Sequence, residues 1–97
     1  MSVTILLEMQ SKPESIDELK STFDNILPDT RSYDGCISVK VIGNLDDPLN
    51  VVLYEVWDSR SHYEKYLAWR AEVGTLETLG SMVSQPPSVR YFDDLDI

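Results

Sequence analysis

The sequence predicts a single α+β domain of the ferredoxin-like class, and three observations carry that prediction. Apolar stretches of strand length alternate with segments of helical periodicity in the order β-α-β-β-α-β. The 97 residues leave room for one domain, residues 1–97, with a thin core. Hydrophobic residues at 42% against charged residues at 26% are the balance of a chain that folds and does not stay disordered.

The first strand, residues 3–9 (VTILLEM), is short, rich in β-branched residues and almost wholly apolar, so it belongs in the middle of a sheet. A helix follows, in which Ile16, Leu19, Phe23, Ile26 and Leu27 share one side while Glu14, Asp17, Glu18, Lys20 and Asp24 take the other. Its start has two candidate signals, Pro13 at the first helical position or a Ser15-x-x-Glu18 capping box, and Pro28 ends it. Residues 29–35 form a polar connection closing on Asp34-Gly35. Residues 36–42 (CISVKVI) alternate, with Ile37, Val39 and Val41 on one face and Ser38 and Lys40 on the other, as an edge strand does. Residues 43–50 are dense in turn formers, so a longish loop joins this strand to the third, residues 51–57 (VVLYEVW), which is apolar on both faces.

From Asp58 or Ser59, either an acceptable N-cap, a second helix runs through Tyr63, Tyr66, Leu67 and Ala71 to about Val73, where Gly74 allows a break. Leu76, Leu79, Met82 and Val83 continue the helical period until Gln85-Pro86-Pro87 stops it. Residues 89–92 form a short last strand and residues 93–97 an acidic tail. The order predicts a four-stranded antiparallel sheet with the first and third strands inside, that inner pair running parallel, and right-handed crossovers that put both helices on one face. The other face then has no cover within the chain, although the third strand presents Val52, Tyr54 and Val56 there. So large an exposed patch is unusual in a monomer, and a second copy packed sheet to sheet is the simplest remedy.

The formal net charge of −9, from 17 acidic and 8 basic residues with no basic run, excludes nucleic acid and anionic membranes as partners. The single cysteine, Cys36, makes no internal disulfide and reads as a small buried hydrophobe. The opening segment has no basic region and no cleavage site, and no run approaches ~18 apolar residues, so the expected location is the cytoplasm.

The segments Asp34-Gly35-Cys36-Ile37-Ser38, Asp46-Asp47-Pro48 and Leu53-Tyr54-Glu55-Val56-Trp57 leading into a helix resemble the antibiotic-biosynthesis-monooxygenase-like family of dimeric α+β barrels. The resemblance covers nearly the whole chain, about residues 3–92. It implies a homodimer joined through the sheet faces and a pocket in each subunit between helices and sheet. It also implies an activity drawn from a set that includes cofactor-independent oxygenases of polycyclic aromatic quinols, haem-degrading enzymes, an isomerase of a signalling molecule and proteins without known activity. Many members carry a histidine on the second helix where this sequence has Tyr66 and Leu67; its only histidine, His62, comes about one turn earlier. The haem-degrading branch resembles a pattern with asparagine late in the first strand, where Glu8 stands here. The expectation is therefore no cofactor and no metal.

Oxygenation without metal or flavin requires a substrate that becomes an electron-rich anion, a base to form it, donors to hold it and a dry apolar cavity. Glu55 and Trp57, two apart on a strand, share a face, and burial there would raise the carboxyl pKa and make Glu55 a base near neutral pH. The competing expectation pairs Glu55 with a cation such as Arg70 and makes Trp57 plain core. On the second helix His62, Tyr66, Trp69 and Val73 form one stripe beside Tyr63, Leu67 and Arg70. The catalytic candidates are Glu55 as base, Tyr66 as hydrogen-bond donor and His62, although His62 lies in a first turn where solvated histidines are common. The substrate-binding candidates are Trp57, Tyr63, Trp69 and Arg70. Asp93, Asp94 and Asp96 lack the glycine turn of a calcium loop and read as solvated. No glycine-rich phosphate loop, Cys/His cluster or nucleophile motif is present. The sequence thus predicts a small-molecule enzyme, a cofactor-independent monooxygenase of quinol-like or polyphenolic substrates. The alternative is a non-catalytic dimeric module that binds a small aromatic ligand, or serves a stress response, through the same pocket.

Overall fold

A computed structural model describes residues 2–97. The elements are β1 (Val3–Gln10), α1 (Ile16–Ser32), β2 (Cys36–Asn44), β3 (Asp47–Trp57), α2 (Arg60–Glu72), α3 (Thr75–Gly80) and β4 (Ser88–Phe92). The sheet order is β2-β3-β1-β4, and every neighbouring pair is antiparallel. The predicted inner pair is therefore correct in membership and wrong in direction. The α1 crossover leaves β2 running with β1, and the hairpin then reverses β3 against both.

The period of two in the strands decides which residues meet the helices. On β1 these are Ile5 and Met9, buried, with Leu7 half-buried between them, and on β3 Val51, Leu53, Glu55 and Trp57, all buried. Leu19, Phe23 and Leu27 of α1 cover one half of this face in a cluster with Met9, Val51, Leu53, Leu79, Met82 and Val83. Tyr63 and Tyr66 of α2 cover the other half with Ile5 and Trp57. Both helices pack on one side, as the crossover rule requires. The opposite side carries Thr4, Leu6, Val52 and Val56 half-buried and Ile42, Tyr54 and Phe92 exposed.

Four local expectations change. Pro28 lies inside α1, which continues another turn to Ser32 because Thr30 is buried on the same side as Leu27. Ser15 is the N-cap of that helix but makes no side-chain cap bond, so the capping box does not form. The loop between β2 and β3 shrinks to Leu45-Asp46, held by the Asp46 amide donating to Asn44 Oδ1 at 2.8 Å. A bulge between Cys36 and Ser38 throws Ile37 out of the expected alternation and leaves it 56% exposed.

The start of α2 follows the sequence. Ser59 caps it by accepting the His62 amide at 3.1 Å. At the far end Gly74 takes φ +85°, a left-handed conformation that turns the chain into α3.

Candidate functional site

Between the helix-facing side of the sheet and the three helices lies a cavity of about 270 Å³. Its wall is apolar except at a few places, where Glu55, Tyr63, Tyr66, Arg70, Thr30 and Thr75 line it. Leu76 and Gly80 of α3, Pro87 just before β4 and Val89 of β4, all exposed, also line it.

Glu55 stands in the middle of β3 and is 2% exposed. Its Oε1 accepts the Trp57 indole N–H at 3.0 Å, a bond made possible because the two residues are neighbours on one face of the strand. Burial pushes the carboxyl pKa from 4.5 up to about 7, and the indole bond opposes that only in part. Among the described residues no cation pairs with Glu55. The expected Arg70 partner is engaged elsewhere.

Arg70 is tied to neutral oxygens. Its Nε donates to the Tyr66 hydroxyl at 2.9 Å, and its Nη2 donates to the Ile26 carbonyl at 2.8 Å and to Thr30 Oγ1 at 3.0 Å. The Tyr66 hydroxyl and Thr30 Oγ1 are 2.7 Å apart. All these bonds are satisfied at once when Tyr66 donates to Thr30 and Thr30 donates to the Ile26 carbonyl at 3.4 Å. In that arrangement Tyr66 has no proton left for a ligand.

Tyr63 is different. It is fully buried, it lines the cavity, and its hydroxyl has no hydrogen-bond partner. Burial, reinforced by the neighbouring Glu55 carboxylate, raises its pKa, so it remains a protonated donor. An orphaned buried hydroxyl is a costly thing to keep unless something completes it.

The structure brings together Glu55, Tyr63, Tyr66 and Arg70 and leaves three other candidates off the cavity wall. Trp57, wholly buried, stands behind Glu55 with its ring 5.0 Å from that of Tyr66 and 5.5 Å from that of Tyr63. Trp69 stacks on Tyr33 at 5.4 Å and supports the Arg70 guanidinium from outside at 4.5 Å. His62 lies at the α2 N-terminus, its Nδ1 2.6 Å from Ser59 Oγ and its ring packed over the Gly35 backbone. Glu8 faces the open side of the sheet, accepting from Asn50 at 3.1 Å and pairing with Arg90 at 3.6 Å. Sequence reasoning missed Thr30, which the helix beyond Pro28 delivers to Tyr66 and Arg70, and Thr75, an acceptor of Arg70 Nη1 at 3.5 Å. Cys36 is half-buried, and burial together with the Glu55 charge pushes its pKa up to about 11, which keeps the thiol protonated at neutral pH.

Residues 2–71 match the family described as antibiotic biosynthesis monooxygenase. The chain belongs to that family. The match takes in β1 through all but the last residue of α2 and so includes Glu55, Tyr63, Tyr66 and Arg70. Solved structures of similar fold include Rv0793 from Mycobacterium tuberculosis, with a TM-score of 0.87 and 22% identity over 100% of this chain and 98% of that one. A conserved protein from Methanosarcina mazei Go1 has a TM-score of 0.87 and 16% identity over 95% and 91%. SnoaB, a cofactor-independent oxygenase from Streptomyces nogalater, has a TM-score of 0.83 and 15% identity over 97% and 93%. Among curated proteins none matches the sequence. At these identities the likeness to solved structures shows the antibiotic biosynthesis monooxygenase fold and leaves the chemistry to the site itself.

Proposed function

We propose that the protein is a cofactor-independent monooxygenase of quinol-like or polyphenolic substrates. The observation that carries the reading is a buried carboxyl without a cation partner, its pKa about 7, on the wall of an apolar cavity that a phenol with an unpartnered hydroxyl also lines. Family membership and a fold shared with a cofactor-independent oxygenase support it. The volume falls just below that of most ligand pockets, which run from about 300 Å³, and suits a compact flat molecule.

In this reading the Glu55 carboxylate takes the proton of a phenolic hydroxyl, and the Tyr63 O–H donates to the phenolate that forms. The dry wall keeps the anion reactive. The phenolate then supplies the electrons to dioxygen. One oxygen atom replaces hydrogen at an activated ring carbon to give a quinone, and the other leaves as water, so that phenol plus O2 yields quinone plus H2O. The four electrons come from the substrate and no external reductant enters. Trp57 holds the carboxylate in place through its indole N–H.

The same reading makes the working unit a homodimer joined through the open sheet faces, where Leu6, Val52, Tyr54 and Val56 lie. An oxygen electrode with a panel of quinols tests the activity. Oxygen uptake matched to quinone formation is expected. Ligand binding without oxygen consumption would replace this reading with the non-catalytic binding module.

A further inference from the structure

Two polar groups on the cavity wall have needs that the protein itself does not meet. One is Tyr63, a cavity-lining residue whose hydroxyl is buried and without a partner. The other is the charge of Arg70. Its side chain is 4% exposed, yet each of its acceptors is a neutral oxygen, and among the described residues no carboxylate pairs with it. A guanidinium stays ionised wherever it is placed, and burying it without an anion is unfavourable. The rings of Trp69 and Tyr66, 4.5 and 5.3 Å from the guanidinium carbon, offset only part of that. Glu55 does not supply the missing charge, because no ion pair joins it to Arg70.

Arg70 Nη1 is the under-used end of the fork, with a single bond of 3.5 Å to Thr75 Oγ1. Thr75 and Arg70 both line the cavity. A carboxylate accepts a charge-assisted bond from such a nitrogen and supplies the missing anion. Arg70 is the one cation among the residues lining the cavity, enough for a single carboxylate and too little for a phosphate dianion.

We infer that the cavity takes a flat aromatic hydroxy acid, its hydroxyl between Glu55 and Tyr63 and its carboxylate at Arg70. The inference rests on the proposed function only in placing the reacting hydroxyl at Glu55. It makes Arg70 the residue that selects acids over neutral phenols.

Isothermal titration with 6-hydroxy-2-naphthoate, whose two groups lie at opposite ends of one flat ring system, tests it. The acid should bind about tenfold or more tightly than its methyl ester or 2-naphthol, as a charge-assisted bond in a dry site implies. Arg70→Gln should bring acid and ester within about twofold of each other. Tyr63→Phe should reduce the advantage of the hydroxy acid over 2-naphthoate. Equal binding of acid and ester, no binding of the acid at millimolar concentration, or a preference that survives Arg70→Gln would each overturn the inference. The acid and ester comparison uses the wild-type protein, so a poorly folded variant does not shelter it. Failure here with oxygen uptake intact on neutral quinols would leave the monooxygenase reading standing. Acid selectivity without oxygen uptake would do the reverse.

Discussion

Glu55 keeps a carboxyl group in a place where its charged form is disfavoured, and the consequence is a pH-dependent stability. Its folded pKa of about 7 lies above the unfolded 4.5, so the folded state binds the extra proton between those values. Stability from this group is therefore complete below about pH 4.5, falls as pH rises to about 7, and is flat above that. The loss is on the order of 3 kcal/mol. Glu55→Gln, which stays neutral, should match the wild type in urea denaturation at pH 5 and exceed it at pH 8. In kinetic assays the same variant should lose about 10²- to 10⁴-fold in kcat, the usual worth of a positioned base. His62 and Glu8, both off the cavity wall, predict that added haem forms no one-to-one complex. A Soret shift at equimolar haem that disappears in His62→Ala would contradict this.

Gly35 shows how closely the loop before β2 is fitted to α2. Its φ of +90° is one that side chains rarely adopt, and a Cβ there would stand 2.5 Å from the His62 ring. Gly35→Ala should lower stability by about 1–3 kcal/mol. Adding His62→Ala should return the part due to the ring and leave the part due to the backbone, as a double-mutant cycle in denaturant would resolve.

At the scale of elements, α1 makes the plainest case of tertiary packing overriding a local signal. Pro28 removes an amide and ordinarily ends or kinks a helix. Here its ring faces solvent while Leu27 and Thr30 are buried on the other side, so the helix runs on to Ser32. Pro28→Ala should therefore raise stability, by about 1–3 kcal/mol, without altering ligand binding. A loss of stability in thermal melts would show that the proline is needed where it stands. The strands, α2 and its Ser59 cap were legible because their periods and cap chemistry are local. The bulge at Ile37 and the tight Leu45-Asp46 turn were not, since both depend on how β2 is pulled against β3. Glu55 was legible from its spacing to Trp57. Thr30, and the fact that Trp57 stands behind the cavity wall and not on it, needed the packing of α1 and α2 against the sheet.

Across the whole molecule, the helices protect one sheet face and leave the other with an apolar centre of Leu6, Val52, Tyr54 and Val56 bordered by the Glu8–Arg90 pair. Several hundred Å² of such surface removed from water supplies on the order of 10 kcal/mol before the costs of association. Sedimentation equilibrium at micromolar concentration should show a dimer, and Val52→Asp should give monomers or insoluble protein. A stable monomer of 11.1 kDa in the wild type would argue against a shared sheet interface. The proposed activity rests on the cavity and its base. The most direct test is a short incubation of the best quinol substrate with ¹⁸O2, comparing the wild type with Glu55→Gln by mass spectrometry. The account predicts one labelled oxygen per quinone formed by the wild type and a rate of labelling at least about a hundredfold lower in the variant. Unlabelled product, or labelling at an undiminished rate in Glu55→Gln, would contradict it.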